Sequence, residues 1–188
     1  MMKITILGLA IASVLLSGCA AMSLDECKTA NWVAVGEKDG SNAQERRLDQ
    51  YYKACSKADI KPNQIQYEQG YRKGQTYYCQ PENIFYEALK GNGNYQVCPV
   101  ETRGQLRSYD QAAREYYNAE QDYQRYQDHF KEYSRKSYDD KLKPEDRERY
   151  RKLLKELQND SDRINRDYRD AIRDLERFKY QHLSLIHI

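Results

Sequence analysis

What this chain has little of narrows its reading first. One Trp and three Phe stand among 188 residues, 32% of them charged, at a mean hydropathy of −1.04, which argues against a large globular core. Charge of one sign is lacking too. Lys and Arg total 31 against 29 Asp and Glu, so nothing favours a nucleic-acid partner. Only three His are present, and no Cys-x-x-Cys pair, which leaves a zinc site poorly supported. There is no Gly-rich phosphate loop, nucleophile elbow or His-Glu-x-x-His, so no catalytic residue, metal ligand or cofactor is assigned and an enzyme is the less favoured class. After Leu16, no apolar run approaches the ~20 residues of a membrane span.

What is there begins with an address. Lys3 precedes the apolar run Ile4 to Leu16, and Leu16-Ser17-Gly18-Cys19 closes it. That pattern is a bacterial lipoprotein signal over residues 1–18, with Cys19 supplying the thiol for a diacylglyceryl thioether and 19–22 as the lipidated start of the mature chain. Ala20 stands where an Asp would signal inner-membrane retention. The expected location is the periplasmic face of the outer membrane of a Gram-negative bacterium, with the membrane as a partner through the lipid alone. At the other end, Leu183-Ser184-Leu185-Ile186-His187-Ile188 is the translation of CTG TCT CTT ATA CAC ATC, the mosaic end of a sequencing transposon. These six residues are read as adapter sequence and left out of fold reasoning.

Four further cysteines, Cys27, Cys55, Cys79 and Cys98, fall in an exported body, where two disulfides are expected. Three connectivities exist. Cys27 with Cys55 and Cys79 with Cys98 is favoured because each pair would staple neighbouring elements, at roughly 3 kcal/mol apiece.

Composition divides the chain near Pro99 to Gly104. In residues 23–99, Ser23-x-x-Glu26 opens a helix expected to run from Leu24 to Val35 and to stop at Gly36. Glu37 to Asn42 reads as a turn, and Ala43 to Lys57 as a second helix. Asn63 caps a third through Tyr67, Tyr71 and Tyr78, with Gly70 and Gly74 four apart so that a neighbour can approach closely. Pro81 to Leu89 forms a short fourth helix, and Gly91-Asn92-Gly93-Asn94 a loop. Residues 104–182 carry a seven-residue repeat: Tyr109, Tyr116, Tyr123 and Phe130, with Ala112, Ala119, Tyr126 and Tyr133 three later. A second register holds Tyr150, Leu157, Ile164, Ala171 and Phe178, with Leu154, Ser161, Tyr168 and Leu175 four later. The fold class expected is all-α: a small disulfide-stapled helical domain followed by a long antiparallel, coiled-coil-like hairpin with Pro144 in the first turn of its second helix.

Cys27, Trp32 followed by Gly36, Asp39-Gly40, Cys55, Tyr67-x-x-Gly70-x-x-x-Gly74, Tyr78-Cys79-x-Pro81 and Gly91-x-x-x-Tyr95-x-x-Cys98-Pro99 together resemble domain of unknown function 2799, a family of proteobacterial envelope lipoproteins. The resemblance spans roughly residues 22–99 and departs at Ile84 and Ala88, where glycines are usual. It implies an envelope location and a stapled helical fold, and brings no reaction.

Four places invite a functional reading. Asp39 could be an exposed carboxylate, although Asp-Gly is first a turn signal. Trp32 could stack on a sugar, although a lone Trp beside a disulfide is more often a packing centre. Tyr67, Tyr71, Tyr77 and Tyr78 with Arg72 and Lys73 would suit a glycan or peptide as a surface, or pack between helices. His129, with Asp128 and Glu132, sits on a charged helix and reads as solvated. The expected role is that of a structural or protein-interaction lipoprotein, engaging an envelope protein or its own copy through the hairpin. Binding of peptidoglycan is the alternative, and a cell-wall hydrolase the outsider.

Overall fold

The computed structural model describes residues 21–183; Cys19 and the signal segment lie outside them. Seven α-helices follow in order: α1 Leu24–Thr29, α2 Trp32–Ser41, α3 Leu48–Cys55, α4 Gln64–Tyr78, α5 Pro81–Leu89, α6 Val100–Ser137 and α7 Pro144–His182. Short 3-10 turns cover Ser56–Ala58 and Tyr95–Val97, and no strand occurs among the described residues.

The Ser23 capping box forms, its hydroxyl accepting from Glu26 N while the Glu26 carboxylate accepts from Ser23 N. The helix then breaks at Ala30, and Asn31 caps a new one through Ala34 N. Gly36 is therefore no stop, and Asp39-Gly40 is no turn: both glycines lie inside α2. The turn falls later, at Asn42 to Arg47, and α3 starts correspondingly later than expected.

The reason is the crossing of α2 and α4, the most extensive contact between helices. A Cβ on Gly36 would fall on the Tyr67 carbonyl, one on Gly40 on that of Tyr71, one on Gly70 on that of Val33, and one on Gly74 on that of Glu37. Two Gly-x-x-x-Gly faces thus run side by side in the same direction, backbone against backbone. Burial outweighs the poor helix propensity of four glycines.

Both favoured disulfides form. Cys27–Cys55 ties α1 to the end of α3, and Cys79–Cys98 ties the end of α4 to the start of the hairpin. Around the first pack Trp32, Tyr51, Tyr67 and Tyr71; around the second, Tyr78, Ile84, Val97 and Leu106.

The hairpin helices have 38 and 39 residues, about 57 Å each at 1.5 Å per residue. Pro144 occupies the first turn of α7, with Glu145 and Asp146 beside it. Rings meet along the expected seam: Tyr109 with Phe178 at 5.1 Å between centroids, Tyr123 stacked on Tyr168 at 4.7 Å, and Tyr133 near Tyr150 at 5.9 Å. At the base a third helix joins, since Phe85 and Ala88 of α5 close a core with Ala113, Leu175 and Phe178. That extra contact makes Ala113, rather than the repeat's Ala112, the fully buried alanine.

Candidate functional site

Most of the residues singled out in the sequence come together, but inside the protein. Trp32, Asp39, Tyr67, Tyr71 and Tyr78 are all at most 6% exposed. Arg72 and Tyr77 remain outside, Tyr77 at 59%. A tyrosine recognition surface on α4 is therefore not formed, because the face carrying Tyr67, Tyr71 and Tyr78 is the one α4 buries. His129 stacks on Tyr133, and no group of three His, Cys, Asp or Glu able to hold a metal occurs among the described residues.

Asp39 is the acceptor of a buried knot. Tyr51 donates its hydroxyl at 3.0 Å and Tyr67 at 2.8 Å, while the Tyr67 oxygen accepts from Arg47 N. Trp32, Tyr51, Tyr67 and Tyr71 follow one another at ring separations near 6 Å. Each polar atom is satisfied, as a buried network must be. Burial, and then the Asp39 charge, push the Tyr51 phenol up to about 12; burial pushes Tyr67, Tyr71 and Tyr78 upward as well. A phenol raised in the folded state favours folding fully below its ordinary value of 10 and loses that contribution as pH climbs to about 12. Stability is thus expected to fall across that window, the buried tyrosines ionising together with unfolding. Tyrosinate absorbance following the exposed phenols throughout, with no change in denaturation midpoint, would contradict it.

The knot holds a loop. Tyr71 donates to the Gln44 carbonyl at 2.7 Å, Gln44 N donates to Asp39 O, and Ala43 is kept at φ 57°, a left-handed conformation uncommon outside glycine. Opposite stands the 91–94 loop, pinned from behind. Arg114, paired with buried Asp110 at 2.8 Å, donates to the carbonyls of Asn92 and Gly93, and Asn94 N donates to the Tyr78 hydroxyl. Between the two loops lies a recess of about 460 Å³ lined by Asn42, Gln44, Asn83, Asn92, Asn94 and Glu87. Asn94 also borders a second recess of about 280 Å³ beside Arg46, Gln96 and Arg103.

Sequence reasoning missed this cleft. It places Asn42 at the end of a turn and Asn92 and Asn94 in a loop, and passes over Gln44, Asn83, Asp110 and Arg114. The density of side-chain amides in the two Gly/Asn-rich segments was the available signal.

The arrangement defines a class: an all-α protein in which a disulfide-stapled helical domain, closed by the base of a long hairpin, presents an amide-lined cleft. A family described as protein of unknown function, DUF2799, matches residues 31–115, so over this region the chain is similar to that family. The match starts at the cap of α2 and ends one residue past Arg114, so it contains every residue that builds the cleft and leaves out most of the hairpin. No curated protein and no solved structure matched the chain.

Proposed function

We propose that this chain is a lipoprotein of the outer membrane, anchored at Cys19 on the periplasmic face, which acts as a protein-interaction module through its hairpin. The Leu16 to Cys19 motif supports the anchor. No described helix is long and apolar enough to cross a membrane.

One observation carries the interaction reading. Beyond Ala113 and Leu175, Ser137 is the one fully buried residue of either hairpin helix, and the seam rings Tyr116, Tyr123, Phe130 and Tyr168 are only half covered. Two helices alone cannot enclose an aromatic seam of this length. A further pair would, as in a four-helix bundle. Charge fits a second copy laid antiparallel. Residues 131–155 around the turn carry ten basic and six acidic side chains, whereas the middle of the hairpin bears Glu120, Asp122, Asp128, Glu156, Asp160 and Asp162.

Placing a photo-crosslinking amino acid at half-buried Tyr126 in the full chain tests both parts in cells. A crosslinked homodimer in the membrane fraction is expected, moving to the soluble fraction with Cys19→Ser. A product with a different protein would replace the second copy by that partner, and no product at all would overturn the interaction role.

A further inference from the structure

We propose that the cleft between residues 42–44 and 92–94 binds an uncharged oligosaccharide of N-acetylated amino sugars. This site is separate from the open hairpin face and does not depend on the hairpin's role.

The chemistry of the lining selects the ligand. Five carboxamides converge there, and each keeps polar capacity that the protein does not use. Asn42 and Asn83 spend their Nδ2 on the carbonyls of Lys38 and Tyr78, leaving Oδ1 to accept. Asn94 spends Oδ1 on Gln96 N, leaving Nδ2 to donate. The Asn92 side chain is committed to nothing among the described residues, and Gln44 makes only a long contact of 3.5 Å to the Asn42 carbonyl. Interleaved donors and acceptors without net charge match hydroxyl and acetamido groups, which carry both functions.

Other ligand classes fit less well. The one carboxylate in the recess, Glu87, is already paired with Lys90 at 2.7 Å, so neither a cation nor an anion is called for. The sole aromatic ring is Tyr78, which is buried, so an apolar ligand finds no wall. An extended peptide would need a strand edge or side-chain pockets, and no strand exists among the described residues. The volume of about 460 Å³ is within the range of small-molecule sites, and the adjoining recess past Asn94 gives a chain of sugars somewhere to continue.

Both walls are also built to stay put. The buried hydroxyls of Tyr71 and Tyr78 and the guanidinium of Arg114 are directed at backbone atoms of the two loops, and those bonds leave the amide side chains free to face outward. Fixed polar groups lose little freedom when a ligand arrives. The family match spans these elements as one unit.

The test uses the soluble chain beginning after Cys19, with side-chain amide resonances of Asn and Gln followed by NMR. Tri-N-acetylglucosamine is the probe, with maltotriose and a neutral blocked tripeptide as comparisons. Saturable shifts of the Asn42, Asn83, Asn92 and Asn94 amides with the N-acetylated sugar are expected, with weaker or no response to maltotriose. Asn92→Ala and Gln44→Ala remove groups that support no structure, so each should fold normally and weaken binding about tenfold. Equal binding of maltotriose, binding of the tripeptide instead, shifts outside the cleft, or no saturable response would each overturn the assignment.

Discussion

Gly70→Ala is expected to lower the melting temperature by roughly 6–12 °C, corresponding to a loss of about 3 kcal/mol. The propensity scale points the other way, since alanine is better than glycine in a helix interior by about 1 kcal/mol. Geometry decides. A methyl group at Gly70 would meet the Val33 carbonyl carbon and the Glu37 nitrogen at 2.7 and 2.9 Å, both rigid backbone of α2. To accept it the helices must part, and parting them loosens every contact between Tyr67, Tyr71 and the loop those tyrosines hold. Gly36→Ala should behave alike. Gly104→Ala supplies the control, because a Cβ there meets nothing within 4 Å; in α6 it should stabilise by up to about 1 kcal/mol. Thermal melts of the three variants read opposite signs if the crossing is as tight as described. A neutral Gly70→Ala would mean that α2 and α4 do not touch backbone to backbone.

The same glycines show where the sequence is legible and where it is not. Gly70 and Gly74 read as a close-approach pair because they stand four apart on one helical face. Their counterparts Gly36 and Gly40 sat next to stronger local signals, a helix-stop glycine and an Asp-Gly turn, and tertiary packing overrode both. Asp39 followed its neighbour from an exposed turn into the core, where Tyr51 and Tyr67 supply what water would have supplied. The hairpin was readable nearly throughout, since a seven-residue repeat reports a face whatever lies outside it. It failed only at Ala112 and Ala113, where α5 adds a third side to the base. For the amide cleft, local pattern offers only the density of Asn and Gln in two separate segments and nothing that joins them. Its walls come from Asn42 and Gln44 on one side and Asn92 and Asn94 on the other, distant in sequence and brought together by the crossing and by Arg114.

Reduction of both disulfides is expected to remove about 6–7 kcal/mol, a large share of the 5–15 kcal/mol that holds a typical domain. The separations of 28 and 19 residues give about 3–4 kcal/mol for each closed loop on the chain-entropy account. For a protein with one Trp, three Phe and a half-covered hairpin, no apolar reserve stands behind the staples. The two bridges should differ in what they protect. Cys27–Cys55 lies in the cluster of Trp32, Tyr51 and Tyr67, so a Cys27→Ala, Cys55→Ala protein should lose stability and the late tyrosine ionisation together. Cys79–Cys98 encloses the whole 91–94 loop and joins α4 to the hairpin base, so replacing that pair by alanine should speed amide hydrogen exchange at Asn92 to Asn94 most. Denaturant midpoints with and without reductant, combined with exchange at those amides, separate the two effects. An unchanged midpoint on reduction would place the stability in packing alone, and equal exchange in both double variants would show that the second bridge does not hold the cleft.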